Sequence, residues 1–235
     1  MNILITNDDG IESDGLRRLA EAAVKLGRVY IVAPDGQRSA MSHSITLRET
    51  IDLYPVDYPV PDVEAWKTTG TPADCVRFGI RNVVKDTGLV LTGINYGYNC
   101  GSDTQYSATV GAAMEGAASG IFSIAVSEGA GPCHEVSDRY LGELLPEILR
   151  KPFTLNQIWN LNLPGCPLSE LKGILWERRV AENAFYRDHY EEQTLPGGGR
   201  RLKVSGVFHT EAAEGTDFRA IVDGYISVGT VRNLH

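Results

Sequence analysis

Two adjacent carboxylates, Asp8 and Asp9, sit between the apolar run NILIT (residues 2–6) and Gly10. Neighbouring carboxylates repel each other unless something positive lies between them. In an extended chain they would point to opposite faces. Gly10 lets the backbone turn, so both could aim at one ion. The alternative is that they cap the next helix or form a turn. Two further polar clusters follow apolar runs. One, residues 35–44, holds Arg38, Ser39, Ser42, His43 and Ser44; the other, residues 93–109, holds Asn95, Asn99, Asp103, Ser107 and Thr109. Oxygen donors from Asp, Ser and Asn select a hard cation such as Mg²⁺ or Mn²⁺. Ser107 and Thr109 stand at the start of a small-residue segment, where free helix amides attract phosphate or where Ser107 is an ordinary N-cap. His43 is either an acid–base group or a hydrogen-bonding post for its loop. Arg38 either clamps phosphate or makes a surface ion pair. Phe185, Tyr186 and Tyr190 either stack on a base or pack a subunit contact, and the second reading is preferred. The glycines fit neither GxGxxG nor the phosphate loop GxxxxGK[ST], and there is no GxSxG elbow for a nucleophilic Ser39.

In an open parallel sheet, ligands bind beyond the carboxyl ends of the strands, near the point where strand order reverses. The three clusters meet there if their strands lie side by side. NILIT suits a buried parallel strand. SDGLRRLAEAAVKLG carries Leu16, Leu19, Ala20, Ala23 and Val24 at helical spacing, with Gly27 as a C-terminal cap. VYIVAPDG gives a second strand, and the prolines of 51–64 suit a loop or edge segment. A helix starts at TGTPADCV, with Pro72 at its first position and Thr71 and Asp74 as a capping box. GLVLTG is a strand, INYGYNCGSDTQYS a loop, ATVGAAMEGAASG a helix and IFSIAVS a strand. Repeated strand–helix–strand units imply a parallel sheet covered by helices. Residues 137–150 read as a helix that Pro146 should kink or split. IWNLNLP is a further strand. From about residue 173 the pattern turns to β, with LKGILWERR and RRLKVSGVF as strands and PGGG between them. ENAFYRDHYEEQT matches no core. The expected fold is α/β: a Rossmann-like, doubly wound, mostly parallel sheet over residues 1–172, with a smaller β-rich extension over 173–235.

The chain has 235 residues, 43% hydrophobic and 22% charged, enough apolar material for a core. No run reaches about 18 apolar residues, so no membrane span is expected. MNILITNDDG lacks the basic and apolar regions of a secretion signal, which points to the cytoplasm. A net charge of −8 argues against wide contact with nucleic acid, and handling phosphate against that charge calls for a cation. Cys75, Cys100, Cys133 and Cys166 have neither zinc-site spacing nor an oxidising context, so they read as reduced thiols.

The motifs ILITNDDGI (3–11), VAPDGQRSAMSHSIT (32–46), TTGTPADCV (68–76), LTGINYGYNCG (91–101), YSATVGAAMEGA (106–117) and IAVS (124–127) resemble the SurE family of survival-protein nucleotidases. TDFRAIVDGYISV (216–228) extends the likeness towards the C-terminus. The resemblance implies metal-dependent hydrolysis of phosphate monoesters, with nucleoside monophosphates as substrates. The scope is 5′-nucleotides, with 3′-nucleotides and short polyphosphate in some members. It implies one divalent cation on Asp8, Asp9, Ser39 and Asn95, with Asp8, Asp9 and Asn95 catalytic. Asn99, Ser107 and Thr109, with His43 nearby, would face the substrate. It also implies a homodimer or homotetramer whose C-terminal extension exchanges between subunits. The chain departs from the family at Ala108, where glycine is usual, and at GTVRNLH (229–235), where the family continues with TPL. The rival to catalysis is a nucleotide- or phosphate-binding module of the same fold that has lost turnover.

Overall fold

The computed structural model describes residues 1–232, so the last three residues of GTVRNLH lie outside the described range. The strands are β1 (Asn2–Thr6), β2 (Arg28–Pro34), β3 (Leu53–Val56), β4 (Glu64–Thr68), β5 (Thr87–Tyr96), β6 (Phe122–Glu128), β7 (Gln157–Leu163), β8 (Ile174–Arg178), β9 (Tyr186–Thr194), β10 (Arg200–Phe208) and β11 (Ile226–Arg232). The helices are α1 (Asp14–Ala23), α2 (Pro72–Phe78), α3 (Ala108–Ala118), α4 (Glu135–Leu149) and α5 (Asp217–Val222). Nine strands form one sheet in the order β3-β4-β2-β1-β5-β6-β7-β11-β8. The block from β4 to β7 is parallel; β3 and β11 join β4 and β7 antiparallel. Strand order runs outward from β1 through β2 on one side and from β5 through β6 on the other. The reversal therefore lies between β1 and β5, where a doubly wound sheet opens a crevice.

Both faces of β1 are covered, which is why NILIT is apolar throughout. Ile3 and Ile5 pack with Leu16 and Leu19 of α1 and Leu144 of α4, while Leu4 packs with Cys75 and Val76 of α2 and Ala112 of α3. The predicted capping box of α2 is present: Thr71 accepts from the Asp74 amide, and Asp74 accepts from the Thr71 amide. Among the described residues no helix is long and apolar enough to cross a membrane.

The sheet corrects several expectations. β5 runs on through Asn95 and Tyr96, so Asn95 ends a strand instead of opening a loop. The segment 51–64 does hold edge strand β3, and the unexpected β4 pairs it to β2. Pro146 does not split α4, which is continuous from Glu135 to Leu149. The proline falls in the last turn, and the carbonyl it leaves unpaired, that of Gly142, is at an exposed position where water can reach it. ENAFYRDHYEEQT supplies β9, which forms an antiparallel hairpin with β10, and PGGG joins these two strands, not β8 to β10. The residues of β9 are exposed on both faces, so no buried periodicity marks them. Of residues 173–235, β8, α5 and β11 pack into the main body, and the β9–β10 hairpin forms a sheet of its own. Phe185 corrects the reading of the aromatics. It is buried with Cys100, Ala181 and Phe218, and its ring stacks on Phe208 at 5.7 Å. It therefore closes an internal cluster and is not available to a base or a partner. All four cysteines are free, with Cys75 and Cys100 buried.

Candidate active site

The carboxyl ends of β1, β2 and β5 lie next to one another, and hydrogen bonds tie the polar loops that follow them. Gly10 has φ +99°, and a Cβ there would come within 3.2 Å of the Gly36 backbone. Only glycine lets the loop after β1 turn this tightly against the loop after β2. Asn7 fastens the turn, its side chain bonding the Gly10 amide, the Gly10 carbonyl and the Ser13 hydroxyl. Ser13 in turn caps α1 through the Leu16 amide.

Asp8 is buried and points to α3, where its Oδ1 accepts from the Thr109 hydroxyl at 2.5 Å. Asp9 points to β5, where its Oδ2 accepts from the Tyr96 amide at 3.1 Å. Adjacent side chains thus leave the strand end in different directions, each tied to a separate element. The Asp8 carbonyl accepts from the Arg38 amide at 2.6 Å, which brings Ser39 beside it. The Asp9–Tyr96 bond likewise brings Asn95 alongside. Asp8, Asp9, Ser39 and Asn95 thus stand on three neighbouring strand ends that these bonds link. The bonds to Thr109 and Tyr96 leave Oδ2 of Asp8 and Oδ1 of Asp9 without a donor among the described residues. Asn95 commits its Nδ2 to the Gly97 carbonyl at 2.8 Å, which turns Oδ1 away as a free acceptor. Ser39 is exposed, and its Oγ takes one bond, from Gln37. An all-oxygen set with two carboxylates fits a hard divalent cation that keeps some of its water. Among the described residues no group of three or more His, Cys, Asp or Glu is arranged to hold a metal.

Burial pushes the Asp8 carboxyl up to about 6; the Asp9 charge adds to this and the Thr109 hydroxyl opposes it. Burial also raises Asp9, against the Tyr96 amide. An oxyanion pair kept out of water in this way is costly until a positive charge joins it.

Ser107 caps α3 through the Val110 amide at 3.1 Å. The amides of Ala108 and Thr109 have no acceptor among the described residues, and both residues are fully buried behind the Ser107 cap. The Ala108 methyl is fully buried, so it adds nothing to an open binding surface. His43 lies on a different side of α3, with Nε2 3.0 Å from Oε2 of Glu115. Arg77 also reaches Glu115, at 3.3 Å. His43 is thus placed as a post for its loop. Asn99 is buried and bound to β6 and β7: its Nδ2 donates to Ser127, and its carbonyl accepts from Asn160 and Asn162. Ser127 is the β6 neighbour of Asn95 in the sheet, so Asn99 is one hydrogen bond from the strand pair that carries Asn95. Arg38 pairs with Asp35 at 2.8 Å, the surface ion-pair reading. Sequence reasoning placed Asn7 in the first polar cluster without a role and passed over Glu115, Asn160 and Asn162. Only Asn7 carried a signal, as an Asx residue three positions before a turn carbonyl.

A family model described as survival protein SurE matches residues 3–185. A protein named 5′-nucleotidase SurE from Thermosipho melanesiensis is 38% identical over 232 residues, spanning 97% of this chain and 90% of that protein. One of the same name from Clostridium botulinum strain Loch Maree is 39% identical over 235 residues, spanning 97% and 91%. The crystal structure of the SurE protein from Aquifex aeolicus resembles this fold with a TM-score of 0.83 at 35% identity, covering 99% of this chain and 93% of that one.

Proposed function

The chain belongs to the SurE survival-protein family, and on that premise we propose that it is a 5′-nucleotidase dependent on one divalent cation, Mg²⁺ or Mn²⁺. Nucleoside monophosphates are its substrates in this reading, which extends to 3′-nucleotides and short polyphosphate. One observation supports it: at the reversal of strand order, Asp8 bonds to Thr109 of α3, the Asp8 carbonyl to the amide next to Ser39, and Asp9 to the amide next to Asn95.

Asp8, Asp9, Ser39 and Asn95 would hold the cation, whose chemistry there would be to polarise the phosphate and lower the pKa of the attacking water. The N-terminal end of α3, near Ser107, faces the phosphate oxygens and stabilises the charge that develops on them. Water forms the new P–O bond, and its proton passes to the carboxylate of Asp8 or Asp9. The ester P–O bond breaks, and the nucleoside oxygen leaves with a proton from solvent. Thr109 keeps Asp8 oriented, and the Tyr96 amide does the same for Asp9.

The test is phosphate release from protein stripped with chelator and then given Mg²⁺, Mn²⁺ or no metal. Release is expected only with metal, and Asp9→Asn should lower it by roughly a hundredfold or more, since even indirect loss of metal support costs 10–100-fold. Equal release without metal, or an active Asp9→Asn protein, would refute the mechanism. Tight nucleotide binding with no release from any substrate would favour the binding-module alternative.

The same reading makes the protein a homodimer or homotetramer joined through the β9–β10 hairpin. On one face of the hairpin Tyr186 stands opposite Phe208 and Tyr190 opposite Val204, with Leu202 alongside, all exposed. A two-stranded hairpin is marginal alone, and an apolar face of this kind calls for cover.

A further inference from the structure

A nucleotide must place its nucleoside somewhere once its phosphate lies at α3, and cavity size and position decide where. On the α3 flank, beside Ser107 and His43, the cleft holds only about 100 Å³. Small-molecule pockets start at roughly 300 Å³. Two larger hollows lie in the wrong places. One of about 480 Å³ runs between the middles of α1 and α4, around Arg18, Lys25 and Arg139. One of about 780 Å³ is at the opposite edge of the sheet, around Gly27 and Arg28, where β2 begins. A fourth, of about 370 Å³, lies between the start of α1 and the turn after β3. Its wall begins at Ile11, two residues from Asp9, so the two Cα atoms are at most about 7.6 Å apart. Lys67, one residue from the carboxyl end of β4, forms part of its far side.

We propose that this cleft receives the nucleoside of the substrate, with Tyr58 as the platform for the base; this rests on the nucleotidase reading above. Tyr58 is half-buried, packs against the main core and also lines the cleft, so its ring is held in place while facing the opening. Glu12 and Asp57 stand around the same cleft, with Lys67 and with Arg17, which pairs with Asp14. The Glu12 and Asp57 carboxylates accept the ring N–H and amino donors of a base.

The experiment compares the metal-loaded wild type, Tyr58→Ala and Tyr58→Phe on AMP and on ribose 5-phosphate, which has no base. Stacking on an aromatic ring carries enough energy for roughly a tenfold effect. Tyr58→Ala should raise KM for AMP about tenfold with kcat little changed, leave KM for ribose 5-phosphate where it was, and be rescued by Tyr58→Phe. Lys67→Trp, at an exposed strand position, narrows the same cleft and should also raise KM for AMP alone, which covers the case that Tyr58→Ala does not fold. Equal shifts on both substrates, or none in either variant, overturn the subsite. Failure of the wild type itself to hydrolyse AMP overturns instead the nucleotidase reading on which the subsite rests.

Discussion

Asp8 shows what one buried group costs the metal-free protein. Its carboxyl rises from 3.8 to about 6, first through burial. Between those values the folded protein holds a proton that the unfolded chain has already lost. Stability without metal therefore falls as pH rises through that window and levels off above it. About two pKa units correspond to about 3 kcal/mol at neutral pH. Asp8→Asn removes the charge and keeps an acceptor for Thr109. In chelator at pH 7 it should melt several degrees above the wild type and have no activity. Scanning calorimetry at pH 5 and 7 checks both the sign and the pH dependence; a lower melting temperature for the variant at pH 7 would contradict this account. The types and positions of Asp8, Asp9, Ser39 and Asn95 were legible in the sequence because each lies in a polar stretch that follows an apolar run. Their partners were not. The Thr109 hydroxyl is 101 residues from Asp8, and the Tyr96 amide 87 from Asp9. Nothing periodic marks a single polar bond over such a distance.

The loop after β2 carries Ser39 and lies directly on α3. The Ser42 amide donates to the Tyr106 carbonyl, and a Cβ on Gly111 would come within 2.4 Å of the Ser42 carbonyl oxygen. Gly111→Ala gains about 1 kcal/mol of intrinsic helix preference, so a plain helix effect would raise the melting temperature. The contact with backbone predicts the reverse: a lower melting temperature, weaker Mn²⁺ binding and at least a tenfold loss of kcat/KM, the scale expected when a supporting contact of a metal site is lost. Melting curves and a metal titration of the stripped variant measure this. The main elements were readable, since continuous apolar runs mark strands covered on both faces. α5 and β4 were not, because each is short. The small residues of α3 signalled a helix, but the reason they are small is close packing: Ala112, Ala113 and Ala117 are fully buried. The tie between α1 and β6 was equally hidden. Arg18 meets Glu128 through two bonds, at 2.7 and 3.0 Å, across 110 residues.

Over the whole molecule, the sheet closes without the β9–β10 hairpin, which meets the body at a narrow base. The Phe185 and Tyr186 amides donate to Asp103, and the His209 amide donates to the Phe185 carbonyl. Replacing residues 188–206 with Asn-Gly retains Phe185 and Phe208, and with them the aromatic closure. The shortened protein should be a folded monomer by light scattering with the far-ultraviolet spectrum of an α/β body, and the full chain a dimer or tetramer on the reading proposed above. An unchanged oligomer would remove the hairpin from assembly. The sequence announced the parallel sheet and its crevice through alternating strand and helix signals. It concealed the hairpin, whose strands bury no face within one chain and so read as loop. The arm hangs from one aromatic neck and carries none of the residues proposed to hold the cation or the phosphate. Its length and composition are free to drift between lineages, while the crevice is held fixed by its chemistry. Descendants of such a protein can change how many copies travel together without relearning the reaction each copy performs.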